Sequence, residues 1–327
     1  MKLQAAVITT YACHSRCTMC GIWKHRIDER EDIRPIVLER LPELSFCNIT
    51  GGEPFLRKDI GDIVAVLKKK ARRIVVSTNG YLTDQILCLA RNHPDIGFRI
   101  SLEGLPKRND ELRGMADGFD HGLKTLLGLM ELGLKDIGLA VTVSDTNAAD
   151  LLPLHRLACR MRVDFATAAV HNSFYFHMDD NRISDPESVA RRFMELAEIQ
   201  LRSRRIKDWY RAYFNAGLAG YVSGATRPLP CGAGRDIFFI DPRGEVLPCN
   251  GMEERFWFES MGNLLEQAFD EIWSSEQARR VREKVRTCPK NCWMIGTAAP
   301  AMKRHLFRTT AWIARRKAAR AVRQRRI

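Results

Sequence analysis

Six short runs of β-branched and apolar residues recur through the first two-thirds of the chain: Leu3–Thr9, Leu44–Thr50, Arg73–Ser77, Gly97–Leu102, Asp136–Val143 and Val163–Val170. Helical patterns separate them at Asp59–Ala71, Thr83–Arg91, Gly118–Leu132 and Ala148–Met161. In the first helix Ile60, Ile63, Val64, Val66 and Leu67 share one side, as packing on a sheet requires. A strand–helix–strand period of about 25–30 residues leaves few choices. The helix is the crossover that parallel pairing needs, so an α/β protein is expected, either a doubly wound sheet or a barrel. Both architectures place their chemistry in loops at the carboxyl ends of the strands.

Beyond the sixth run come a loop, His171 to Ser184, and one long helical region from Pro186 to about Tyr221. Gly224, Pro228 and Pro230 then break the pattern and mark a boundary near 222–230. Residues 236–248 read as a hairpin turning at Asp241-Pro242-Arg243-Gly244. A single helix is expected from Asn263 to Arg286, with Leu264, Leu265, Phe269, Ile272 and Trp273 as its apolar stripe.

With 45% hydrophobic and 28% charged residues the chain is neither disordered nor fibrous. No apolar run reaches the ~18 residues that span a bilayer, and the N-terminus lacks a signal peptide's pattern. A cytoplasmic, reducing location is therefore expected. Ten cysteines in such a place read as metal ligands or catalysts before disulfides.

Three of them, Cys13, Cys17 and Cys20, lie in Tyr11-Ala12-Cys13-His14-Ser15-Arg16-Cys17-Thr18-Met19-Cys20, directly after the first strand. Three thiolates cannot close a tetrahedral zinc site, but they can hold three irons of a [4Fe–4S] cube and leave the fourth open. A zinc knuckle borrowing His14 is the competing reading. Gly51-Gly52-Glu53-Pro54 ends the second strand, Ser77-Thr78-Asn79-Gly80 the third and Ser101-Leu102-Glu103-Gly104 the fourth; Arg113-Gly114 follows.

Together these segments resemble the radical S-adenosylmethionine (radical SAM) superfamily. The resemblance implies a partial (β/α)6 barrel of the TIM type over residues 1–222. It implies that Cys13, Cys17 and Cys20 bind a cluster whose open iron chelates S-adenosylmethionine. Reductive cleavage, with electrons from a flavodoxin- or ferredoxin-type donor, then yields a 5′-deoxyadenosyl radical that abstracts hydrogen. Gly51, Gly52, Glu53, Pro54, Ser77, Asn79, Ser101, Glu103 and Arg113 stand where such enzymes contact this cofactor. Glu103 replaces a common Asp, and Met19 a common aromatic residue. The two glycines would let the backbone approach the cofactor closely, and Arg113 would pair with its carboxylate.

Cys231, Cys249, Cys288 and Cys292 form a second group. Their spacing alone suits either a closed zinc site or a fully ligated [4Fe–4S] cluster. The segment resembles the twitch extension, a shortened relative of the SPASM domain, which implies a second, auxiliary cluster. The C-terminal domain would then be a β-hairpin plus a helix over 223–300.

The leftover Cys88 and Cys159 read as buried packing residues. Cys47 reads as packing too, or as a lumen-facing thiol that returns a hydrogen atom. The loop after the sixth strand supplies His171, Tyr175, His177 and Asp179 as acid–base candidates. Residues 301–327 read as a basic amphipathic tail. The formal net charge is +13, and no Asp or Glu follows Glu283. Leu306, Phe307, Ile313, Ala314, Ala318, Ala321 and Val322 would form its apolar side. Such a tail suits an anionic membrane surface, and no aromatic-interleaved module points to specific nucleic acid. The first strand begins at once, leaving no room for a peptide-clasping domain upstream. That favours dehydrogenation or epimerisation of a small sugar, an aminocyclitol or a lipid-linked substrate. Peptide modification is the alternative, and a zinc-stapled, membrane-associated interaction protein is the reading from another class.

Overall fold

The computed structural model describes residues 2–24 and 32–324, with side chains as far as Arg320. Six parallel strands alternate with helices: β1 (Leu3–Ile8), β2 (Leu44–Thr50), α1 (Ile60–Lys68), β3 (Ile74–Thr78), α2 (Thr83–Asn92) and β4 (Gly97–Ser101). Next come α3 (Pro106–Arg113), α4 (Gly118–Glu131), β5 (Ile137–Val143), α5 (Leu151–Met161) and β6 (Asp164–Ala169). All six expected strands are present to within a residue or two. The fold is the α/β parallel architecture that the sequence period demands.

Alternation along each strand sorts side chains between two faces. On β1, Ala5 and Val7 join the main core under the helices, with Cys47 and Ile49 of β2 beside them. The other face carries Ala6, Ile8, Asn48 and Thr50.

Helix α6 (Pro186–Arg202) and helix α7 (Ile206–Val222) form a packed pair where one long helical region was expected. Ser203, in extended backbone, ends α6, and its hydroxyl donates to Asp208 at 2.6 Å. The hairpin β7 (Ile237–Ile240) and β8 (Val246–Leu247) does not stand apart. Strand β7 pairs in parallel with β1, so the sheet runs β6-β5-β4-β3-β2-β1-β7-β8.

The expected Asn263–Arg286 helix is two helices, α8 (Phe269–Ser274) and α9 (Glu276–Arg286). Ser275 splits them: its backbone is extended and its side chain caps α9 by accepting from Ala278 N at 3.0 Å. Leu265 precedes both helices and is exposed rather than part of a stripe.

The tail forms α10 (Ile295–Arg304) and α11 (Leu306–Gln324), and α11 lies on α6 and α7. Trp312 meets Tyr213 edge-on at 5.3 Å, and Lys317 Nζ stands 3.6 Å from the Trp209 ring centroid. Thr309 and Ile313 are buried, whereas Leu306, Phe307, Ala314 and Ala318 are exposed. Ala321 and Val322 lie outside the described side chains. The face of α11 with Thr309 and Ile313 packs on the protein, and of the expected apolar side only Ile313 is buried among the described residues. Among the described residues, no helix is long and apolar enough to cross a membrane.

Candidate functional site

The loop carrying Cys13, Cys17 and Cys20 is held by backbone hydrogen bonds from two strand ends and one helix end. Gly52 N donates to Thr10 O at 2.7 Å and Glu53 N to Ala12 O at 2.8 Å. Arg16 N and Thr18 N donate to Arg113 O and Leu112 O, at 3.0 and 2.8 Å, so the loop sits across the carboxyl end of α3. A Cβ on Gly52 would come within 2.1 Å of Ala12 O, and one on Gly114 (φ 58°) within 2.6 Å of Arg16 O. These glycines make room for the cysteine loop itself, which differs from the approach to a cofactor expected for Gly52.

Glu53 is buried and already fully engaged. One oxygen accepts from Thr78 Oγ1 at 2.8 Å and Phe55 N at 3.2 Å, the other from Asn79 N at 2.8 Å. Burial raises its pKa against those hydrogen bonds. Its carboxylate ties the end of β2 to that of β3, a structural role. Pro54 starts the short 3-10 turn that follows. Asn79 Nδ2 donates to Ser15 Oγ at 2.9 Å, on the cysteine loop, while Ser77 Oγ donates to Asn48 Oδ1 at 3.0 Å. Glu103 accepts from Arg113 Nη1 at 3.1 Å and from Thr142 N at 2.6 Å, and both ion-pair partners are buried. Arg113 Nε is buried without a hydrogen-bond partner among the described residues, in the electrostatic neighbourhood of Cys13 and Cys17. A buried guanidinium with a spare donor fits an anionic group. Burial pushes the thiols up, Cys13 to about 11 and Cys20 to about 12, with Cys17 also raised.

The 171–184 loop covers this cysteine loop and also reaches the second group. Tyr175 is buried, its hydroxyl donating to Gly51 O at 2.7 Å beside Thr50 Oγ1 at 3.3 Å. Gly21 N donates to Phe176 O at 2.7 Å, and Asn181 Nδ2 to Met19 O at 3.1 Å. On the other side Phe174 N donates to Met252 O at 2.8 Å, and Lys290 Nζ donates to Asn172 O at 3.0 Å. The acid–base candidates thus separate. Tyr175 fastens the GlyGly turn, with its pKa raised by burial. His177 and Asp179 are exposed. His171 keeps Nδ1 near Ala169 O at 3.1 Å, while its buried Nε2 has no hydrogen-bond partner among the described residues. Burial lowers its pKa to about 4, so it is neutral near pH 7.

Cys47 is fully buried in the core under the helices, with its pKa raised to about 12 by burial alone. It faces away from the lumen that Asn48 and Thr50 line, which removes it as a hydrogen donor. Cys88 and Cys159 are exposed, not buried as expected.

The second group gathers three separated segments. Cys231, Cys249, Cys288 and Cys292 line one cavity of about 570 Å3, together with Arg227, Trp257 and Lys290. Among the described residues no three Cys, His, Asp or Glu side chains converge as one bound metal ion needs. Four thiols around one cavity fit a multi-iron cluster. Lys290 Nζ also pairs with the buried Glu253 carboxylate and donates to Gly251 O at 2.7 Å. Trp293, 1% exposed, anchors the Cys288–Cys292 segment by donating to Phe214 O at 2.9 Å. Sequence reasoning missed Lys290, Glu253 and Trp257. Lys290, set between two cysteines, was the only one with a signal.

A parallel α/β core with an open three-thiol loop and a separate four-thiol cavity defines an iron–sulfur enzyme of the radical type. The comparisons give the particular family: the radical SAM superfamily model matches residues 7–158, and the SPASM iron–sulfur cluster-binding domain matches residues 231–294. The chain belongs to the SPASM-containing radical SAM enzymes, whose cofactors are [4Fe–4S] clusters and S-adenosylmethionine. It is 28% identical over 295 residues to the mycofactocin maturase MftC of Mycolicibacterium smegmatis, covering 84% of this chain and 71% of that protein. It is 37% identical over 105 residues to the Fe-coproporphyrin III synthase of Methanosarcina barkeri, covering 31% and 26%. The structure of anSMEcpe with bound AdoMet and the Cp18Cys peptide aligns with a TM-score of 0.64 at 13% identity, covering 98% of this chain and 99% of that one.

Proposed function

We propose that the chain is a peptide-modifying radical SAM enzyme, a maturase. In this reading Cys13, Cys17 and Cys20 ligate the cluster that binds S-adenosylmethionine. Cys231, Cys249, Cys288 and Cys292 ligate the auxiliary cluster, and a flavodoxin- or ferredoxin-type protein supplies the electron. Residues 1–222 would form the catalytic unit, 223–300 the auxiliary-cluster unit and 301–327 a basic brace. The observation that carries the peptide reading is extent: a peptide-bound neighbour is matched nearly end to end, and the likeness to a maturase covers 84% of this chain. That neighbour of the same fold holds a peptide, which removes the reason for preferring a sugar.

When bound, the first cluster and S-adenosylmethionine supply a 5′-deoxyadenosyl radical capable of taking hydrogen from an unactivated C–H bond. The protein's own residues bind, orient and handle protons. Arg113, balanced by Glu103, offers its spare Nε to the cofactor carboxylate. Ser77, Asn79 and Ser101 line the strand ends where the rest of the cofactor would lie, with Gly51, Gly52 and Glu53 holding the loop geometry. His171, neutral and with Nε2 unpaired among the described residues, is placed to take a proton released on substrate oxidation, and the four-thiol site would hold the group that accepts the electron.

The test is anaerobic reconstitution followed by turnover with deuterated candidates. About eight irons per chain and deuterium moving from a peptide into 5′-deoxyadenosine support the reading. Deuterium from a sugar, aminocyclitol, lipid-linked substrate or coproporphyrin instead would overturn the peptide assignment. Stoichiometric zinc without iron would overturn both cluster assignments.

A further inference from the structure

The loop between β8 and α8 is fastened to the Cys288–Cys292 segment at two points. Lys290 and Glu253 form a buried ion pair, their side chains 12% and 5% exposed. A tight turn brings Trp257 N to Glu253 O at 2.9 Å, and the indole Nε1 then donates to Cys288 Sγ at 3.4 Å. Trp257 also lines the four-thiol cavity and is half-buried against the core.

These contacts differ in what they do to charge. The Lys290 ammonium shares the Glu253 carboxylate with Arg255. Arg227 donates its N–H groups to Leu229 O, Cys292 O and Thr297 and keeps its charge beside Cys292, a through-space effect rather than a bond to sulfur. The Trp257 N–H is a dipole aimed at the sulfur itself. A cluster gains negative charge on reduction, part of it carried by its sulfurs, so a donor to sulfur favours the reduced form.

We propose that Trp257 sets the reduction potential of the auxiliary cluster by donating its indole N–H to the Cys288 sulfur. This rests on the ligand assignment given above. Trp257 is a positioning residue: it acts through the Cys288 sulfur and tunes how readily the auxiliary site accepts an electron. Trp257→Phe removes the N–H but also shrinks the ring. Replacing Trp257 with its benzothienyl analogue removes the N–H and keeps the shape.

The experiment is an EPR-monitored redox titration of the reconstituted holoenzyme, wild type against both variants, with iron counted in each. The auxiliary signal should move to lower potential by about tenfold in the reduction equilibrium, 59 mV for one electron. The signal of the cluster at Cys13, Cys17 and Cys20 should stay in place. An unmoved auxiliary midpoint with full iron in the benzothienyl variant would overturn the proposal. A wild type lacking any second cluster signal would instead overturn the ligand assignment. If Trp257→Phe alone loses iron, the isosteric variant decides between these outcomes.

Discussion

The two cysteine sites are built on opposite plans. The first is a single short loop, pinned from outside by backbone groups of β2, α3 and the 171–184 loop. The second draws its thiols from three segments far apart in sequence and closes them with side chains, chiefly Lys290, Trp257, Arg227 and Trp293. A locally encoded site can be read from spacing, because the chain between its ligands is too short to place them elsewhere. A site assembled by tertiary contacts cannot, and it depends on packing that no motif records.

Substitution separates the two plans most sharply at the thiols. Cys17→Ala should abolish S-adenosylmethionine cleavage and remove about half the iron, whereas Cys249→Ala should remove a similar share and leave cleavage running. Cleavage by the Cys17 variant, or unchanged iron in the Cys249 variant, would break the comparison. Next in size, His171→Ala should lower substrate turnover about 10²-fold while uncoupled cleavage persists. Because burial holds His171 near 4, it is already the neutral base above that value. Wild-type turnover should therefore stay flat from about pH 7.5 down to 5.5; a descending limb near 6.5 would place the histidine in water.

The backbone plan of the first site makes a third prediction. Gly52→Ala sets a methyl group against Ala12 O and should cost about 1–3 kcal/mol of stability, read as a lower Tm with selective loss of the first cluster. An Ala variant of unchanged Tm and iron would show that the loop yields. The smallest effect belongs to Tyr175→Phe. Losing the hydroxyl that donates to Gly51 O should cost about 1 kcal/mol without altering the pH profile of turnover, whereas a general acid–base role would alter it.

Much of this was legible in the sequence. The strand–helix period fixed the parallel core because crossovers constrain direction, and the triple-cysteine spacing sat at a strand end as α/β geometry requires. The misses have physical causes. The lumen-facing alternative for Cys47 stayed open, although packing is what it does, because a run of mixed polarity, Leu44–Thr50 with Ser45 and Asn48, does not show which of its two faces meets the helices. The α8–α9 break turned on one serine cap, invisible inside a continuous helical pattern. The docking of the tail on α7 was not foreseen because it is made by Trp312 and Lys317, amphipathic residues outside the apolar side that the pattern marks. Tyr175, an apparent acid–base group, proved to be a peg, which only its neighbours reveal.

Strand β7 hydrogen-bonds directly to β1. The strand leading into the first thiol loop and the hairpin flanked by Cys231 and Cys249 are thus neighbours in one ladder. Were both thiol groups to hold clusters as proposed, the strands beside them would be joined by rungs of peptide hydrogen bonds rather than by a flexible joint.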